Sequence, residues 1–173
     1  MTTKTAPKKA RPTASAKADA IKLLTSDHAE VHALFKEYSA LCANGADGEQ
    51  RGPLAEQICL LLTVHLAIEE EIFYPEAREA GVEEPLLDEA EVEHSSVKDL
   101  IAQIRRMEPD DDLYDAKVKV LGEYIDHHVK EEQDEMFPKC VKAAMDLKAI
   151  GAEMATRKAE LTAEMTEGME LLQ

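Results

Sequence analysis

The chain has 173 residues, with 36 acids against 20 bases, a formal net charge of −16 and 45% apolar residues. That is too apolar for a disordered protein and long enough to bury a core without disulfide staples, so one domain of about 150 residues plus tails is expected. No apolar run approaches the roughly 18 residues of a membrane span, and the N-terminus lacks the apolar stretch of a secretory signal.

Residues 1–18 hold Lys4, Lys8, Lys9, Arg11 and Lys17 and no acid, with almost nothing to bury. They read as a disordered basic tail; a transit peptide would need an apolar helical face, which is missing. The five positive charges there leave −21 on the remaining residues. Such a surface repels phosphates, so no nucleic acid is expected to bind the folded body.

The first helix is expected from Ala18 to about Ala43. Ile21, Leu24, His28, Val31, Phe35, Tyr38 and Cys42 follow one another at alternating steps of three and four, one buried seam. Asn44-Gly45 and Gly48 form a turn. A second helix is expected from near Pro53, with a seam of Ala55, Ile58, Leu62, His65, Glu69 and Ile72, ended or kinked by Pro75. After Gly81–Pro85, a third carries Leu87, Ala90, His94, Val97, Ile101 and Ile104. It ends before Pro109, and Asp110–Asp112 offer caps for the fourth. The fourth carries Val118, Leu121, Ile125, His128, Glu132 and Glu135, with Pro138 near its end. Residues 141–173 are read as an appended helix, bent or broken near Gly151. No segment alternates like a strand. The expectation is an all-α, up-down-up-down four-helix bundle over 19–140 with a C-terminal helical extension.

Each seam is apolar except for one histidine per helix: His28, His65, His94 and His128. Glu69 and Glu132 sit one turn beyond two of them, on the same faces. A lone buried histidine is usually a satisfied core residue. Four of them with two glutamates would each need a separate buried partner, at roughly 1–3 kcal/mol apiece if unpartnered. The seams offer no basic residue, and a shared cation removes the problem.

An internal repeat sharpens this. His65-x3-Glu69-x5-Pro75 matches His128-x3-Glu132-x5-Pro138 at an offset of 63, and Asp27-His28 matches Glu93-His94 at an offset of 66. Two such halves about a pseudo-twofold axis place two metal positions side by side with the glutamates between them. Glu91, three residues before His94, shares its face and is a further candidate ligand, with a surface or supporting carboxylate as the alternative. His32 matches Lys98 in the repeat, so a partly exposed histidine is expected there. His127 reads as a flank residue and Tyr124 as core. Met145, Met154, Met165 and Met169 read as core rather than as a metal box. Cys42, Cys59 and Cys140 form no CxxC pair and read as reduced thiols of a cytoplasmic protein, not as a disulfide frame or thiolate site. Imidazole with carboxylate suits iron or manganese; zinc usually shows a compact HExxH or cysteine-rich spacing, absent here.

The arrangement resembles the hemerythrin family, in its bacterial hemerythrin-like (HHE cation-binding) form. The residues that carry the likeness are Asp27-His28, His65-Leu-Ala-Ile-Glu69-Glu-Glu-Ile-Phe-Tyr-Pro75, Glu93-His94, and His127-His128-Val-Lys-Glu131-Glu132 through Phe137-Pro138, over about residues 20–140. The resemblance implies two non-haem iron ions with an oxo or hydroxo bridge. Glu69 and Glu132 would bridge them, His28 and His65 would serve one iron, and His94 and His128 the other. Oxygen-carrying hemerythrins place a second histidine one turn before the helix-three histidine. Ala90 stands there in this chain, with Glu91 as the candidate substitute. An anionic ligand favours ferric iron, which argues against simple oxygen transport.

Three functions follow as expectations. The first is binding of O2 or a related small ligand, NO or peroxide, at an open iron position. The second is an enzyme that breaks down peroxide or oxidises iron. The third is a sensor whose iron occupancy stabilises the bundle and reports iron or oxygen. No acid–base dyad, substrate motif or output domain adds support to the last two.

Overall fold

The computed structural model describes residues 19–170, and every described element is helical. The expected basic tail at 1–18 and the side chain of Met169 lie outside the described residues. Five helical rods follow in order. The first is α1 (Ala20–Ala43). The second is α2 (Gly48–Ile68), continued through a π-helical turn (Glu69–Phe73) into α3 (Tyr74–Glu79). The third is α4 (Glu84–Ile104). The fourth is α5 (Tyr114–Glu131), a second π turn (Glu132–Met136) and α6 (Phe137–Lys142). The last is α7 (Leu147–Glu170).

Local chemistry explains most boundaries. Asp19 caps α1 by accepting from the Lys22 N–H at 3.0 Å, and Gly45 at φ +71° closes its far end. The second rod starts five residues before Pro53. A capping box between Asp47 and Gln50 nucleates it, and Arg51 Nε donates to Ala46 O at 3.0 Å, so the proline costs one backbone bond inside an anchored turn. The fourth rod lacks the expected aspartate cap. Leu113 precedes it at φ +71°, Asp111 accepts from the Glu108 N–H and Asp110 pairs with Arg51.

Neither Pro75 nor Pro138 ends its rod. Each follows a π turn, in which Tyr74 N–H bonds Glu69 O and Phe137 N–H bonds Glu132 O, five residues back. The wider turn carries the helix past the proline. It also shifts the phase of everything beyond it. Met136 is buried, and Glu135 beside it is exposed.

The rods bury two apolar clusters with a polar layer between them. One cluster holds Leu24, Phe73, Leu87, Phe137 and Cys140; the other holds Val31, Ile58, Val97, Leu121 and Ile125. Along α1 and α4 the chain passes from the first cluster to the second; along the second and fourth rods it passes back. α1 packs on α2 and α5, and α4 packs on α5 and α2.

α7 lies against α1, α2 and the first π turn. It is unbroken through Gly151, which is buried. Ile150 and Met154, packed into the first cluster on either side, outweigh the roughly 1 kcal/mol that a glycine costs a helix. Met145 packs partly buried on the same cluster, and Met165 is half-buried. Tyr124 is exposed, not core.

Met154→Ala should therefore cost roughly 2–5 kcal/mol in urea unfolding, as loss of a fully buried side chain does. Val92→Ala, on the exposed face of α4, should change stability by less than about 0.5 kcal/mol.

Candidate metal centre

Among the described residues, the buried polar or charged side chains are His28, His65, Glu69, His94, His128, Glu132 and Arg51. The first six form the polar layer, and Arg51 pairs elsewhere with Asp110 and Asp115. Each of four rods supplies its histidine at the depth where the two apolar clusters meet. The ligating atoms fall into two groups that share Glu69. His28, His65, Glu69 and Glu132 form one, and Glu69, His94 and His128 the other.

All four rings turn Nε2 inward. The Nε2 atoms of His28 and His65 lie 3.1 Å apart, and those of His94 and His128 lie 3.0 Å apart. Glu69 divides its oxygens between the pairs: Oε1 is 3.3 Å from His65 Nε2 and Oε2 is 3.4 Å from His94 Nε2. Glu132 Oε2 is 3.2 Å from His28 Nε2 and 3.6 Å from His128 Nε2. The hydroxyl of Tyr74 also enters the layer. It donates to Glu132 Oε1 at 3.1 Å, and lies 3.1 Å from His94 Nε2 and 3.5 Å from His128 Nε2.

The outward nitrogens are tied down. His65 Nδ1 faces Asp27 at 3.4 Å, His94 Nδ1 faces Glu70 at 2.9 Å and His128 Nδ1 faces Glu93 at 2.8 Å. His28 Nδ1 faces the Gln133 amide at 3.2 Å. A carboxylate only accepts, so each of these acids holds a proton on Nδ1 and leaves a lone pair on Nε2. With both rings neutral, two such lone pairs facing each other at 3.0 Å repel, and a shared cation, a proton or a metal ion, makes the geometry favourable.

The carboxylates lead to the same conclusion. Neither oxygen of Glu69 has a hydrogen-bond partner, nor does Glu132 Oε2. Burial, reinforced by Glu132 beside it, pushes the Glu69 carboxyl well above its ordinary range. Burial also opposes the charge on Glu132, but the rings of His128, His28 and His65 outweigh it and hold that carboxyl at about 2. Burial and the neighbouring His128 push His94 down to about 2, which keeps its lone pair free. Orphaned buried oxygens, converging imidazoles and no thiolate are a donor set that fits a hard or borderline divalent cation.

Six of the seven candidate ligands thus converge, and Glu91 does not. Its carboxylate points to solvent and pairs with Arg78 at 2.7 Å. His32 is exposed and faces Asp126 at 3.3 Å. His127 is exposed against Glu93 and Glu131. The seam reading passed over Tyr74, Glu70, Gln133 and Phe137, and gave no role to Asp27 and Glu93. The signal for the last two was the acid-His pairing in the repeat. Tyr74 and Phe137 hold matching places before Pro75 and Pro138.

The Hemerythrin HHE cation binding domain family matches residues 19–140. The chain belongs to this family. An HHE cation binding domain-containing protein of Mycobacterium kansasii has a similar structure, with a TM-score of 0.73, 22% identity, and 88% of this chain and 93% of that one covered. A protein of Nostoc sp. named DNA nickase is 29% identical over 118 residues, which is 66% of this chain and 31% of that protein. The chain therefore spans about a third of that relative's length.

His65→Ala and His128→Ala should each lower bound metal and melting temperature together, because each removes an inward nitrogen. His32→Ala and Glu91→Gln should leave both unchanged. Metal analysis with thermal unfolding reads the contrast, and equal losses at His32 would overturn the assignment.

Proposed function

We propose that this HHE-family protein is a non-haem di-iron protein that binds O2 or a related small ligand, NO or peroxide, with His28, His65, His94 and His128 as nitrogen ligands and Glu69 and Glu132 as carboxylate bridges. The observation that carries the reading is the pair of Nε2···Nε2 spacings, 3.1 and 3.0 Å, with every Nδ1 anchored outward. Two nitrogens roughly 2.1 Å from one ion stand about 3.0 Å apart at right angles and about 3.4 Å apart at a tetrahedral angle. The observed spacings favour six-coordinate iron or manganese over tetrahedral zinc.

Bound iron would supply redox electrons and an open position for the small ligand. The protein does the rest. Asp27, Glu70 and Glu93 fix His65, His94 and His128 in orientation and tautomer, and Gln133 lies against the outer edge of His28. Glu69, one oxygen toward each histidine pair, keeps both positions at a set separation. The apolar clusters above and below keep bulk water away from the layer. The reversal of chain direction between the clusters from rod to rod supports an up-down-up-down bundle. The charge of −21 outside residues 1–18 argues against a nucleic-acid partner for the body. No described helix is long and apolar enough to cross a membrane, and the three free cysteines suit a cytoplasmic setting.

Protein purified in air should carry about two irons per chain, with near-ultraviolet oxo-to-iron absorption that changes reversibly when oxygen is removed and restored. Stripping the iron with a reductant and chelator should lower the melting temperature by roughly 5–10 °C, as expected for a cofactor that binds only the folded state. One zinc, or no metal with an equally stable fold, would overturn the reading.

A further inference from the structure

The repeat breaks on the outer side of the histidine layer. Glu93 turns its two oxygens different ways: Oε2 faces His128 Nδ1 at 2.8 Å, and Oε1 faces His127 Nε2 at 3.4 Å. Glu131, one turn beyond His127 on α5, brings its Oε1 to 3.3 Å from the same nitrogen. The three donor atoms lie within 4.8 Å of one another. Both spacings exceed the roughly 2.7–2.9 Å of a charge-assisted N–H···O bond and match the roughly 3.4 Å between donors on one tetrahedral ion. A cavity of about 330 Å³ between α4 and α5 has Glu93, Ser96, Tyr124 and His127 in its wall. The other half is closed at the matching place. The offsets of 66 and 63 carry Glu93 onto Asp27, His127 onto Val64 and Glu131 onto Ile68. Val64 and Ile68 are buried apolar side chains, and α7 packs against α1 and α2. The cleft lined there by Asp27, Glu30, Leu61 and His65 has a volume of only about 10 Å³. Lys158 of α7 supplies the positive charge beside Asp27. Among the described residues, no lysine or arginine pairs with Glu93 or Glu131.

We propose that Glu93, His127 and Glu131 form an outer site for one divalent cation, with zinc as the ion that fits best, separate from the buried layer. The ion takes the place that the Lys158 ammonium takes in the other half. Two carboxylates with a neutral imidazole carry two negative charges, which one divalent ion balances and a proton on His127 only halves. One nitrogen and two oxygens are a zinc-type donor set, and three protein donors leave a fourth tetrahedral position for a water or a small ligand from the cavity. The charge of −21 outside residues 1–18 raises the local concentration of cations. Glu93 then holds the outer ion with one oxygen and His128 with the other, so the site stands one carboxylate away from the buried centre.

The test uses the full chain with its buried layer loaded with iron first. Zinc, as the probe, should then bind at one further ion per chain with the iron retained. Cobalt(II) in its place should show the intense visible bands of a four-coordinate ion. His127→Ala and Glu131→Gln should each weaken zinc binding at least about tenfold and lose the cobalt bands. Neither should change the iron content, or the melting temperature measured without zinc. Equal zinc binding by the wild type and both variants, uptake of zinc only in exchange for iron, or a dissociation constant of about 1 mM or weaker would overturn the outer site. A chain that takes up no iron removes the di-iron reading alone: His127→Ala should then still cost one zinc per chain, with the remaining zinc held by the buried histidines.

Discussion

Two carboxylates buried side by side are the constraint on which this structure depends. Taking one ionised carboxylate out of water costs several kcal/mol, and a second beside it adds repulsion. Glu69 and Glu132 lie in one dry layer with no lysine or arginine among the buried side chains of that layer. Without a cation the pair settles its charge unevenly: Glu69 is pushed toward its protonated form and Glu132 keeps its charge against the neighbouring rings. Protons and metal ions therefore compete for the same atoms. Every other choice in the layer serves the same end, from the inward Nε2 atoms to the acids that hold Nδ1.

The π turns convert this constraint into geometry. In an α-helix the fifth residue onward is about 140° out of phase, so Tyr74 and Phe137 would face away from Glu69 and Glu132. A turn with one extra residue restores them to the ligand face, and the bond it makes leaves room for the proline that follows. A helix widened in the same way at both glutamates is hard to explain by packing alone. Both features arise twice, at matching places, because the repeat carries them.

This also sets what was legible in the sequence. The histidines and the two glutamates were readable because they keep the 3.6-residue period of their seams. Residues beyond a π turn do not keep it, which is why Tyr74 and Met136 do not read onto the seams. Asp27, Glu70 and Glu93 each stand one residue from a ligand in sequence, off the seam, and their reach to a histidine on another helix has no periodic signature. Glu91 has the right spacing from His94, yet three residues are some 60° around the helix. That places its carboxylate at the rim, where Arg78 pairs with it in water at less cost than burial. The boundary at Leu113 fails for a different reason: Asp110 and Asp111 find partners in Arg51 and the Glu108 N–H and so are not free to cap.

The anchors of the histidines show that the centre does not end with the four-helix unit. Glu70, which holds His94, is itself paired with Lys98 from α4 at 2.5 Å. Asp27, which holds His65, has no such partner within the first four rods; Lys158 from α7 reaches it at 2.5 Å. Each acid thereby stands next to a cation and offers its histidine a steady acceptor. His32 holds the place of Lys98 in the repeat, but Gln133 there carries no charge to balance, and His32 turns instead to Asp126. Met154 and Ile150 seat α7 in the core about one and two turns before Lys158, so the packing of the appended helix sets the position of that lysine. The family match stops at residue 140, yet the charge balance around His65 is completed by a residue beyond it.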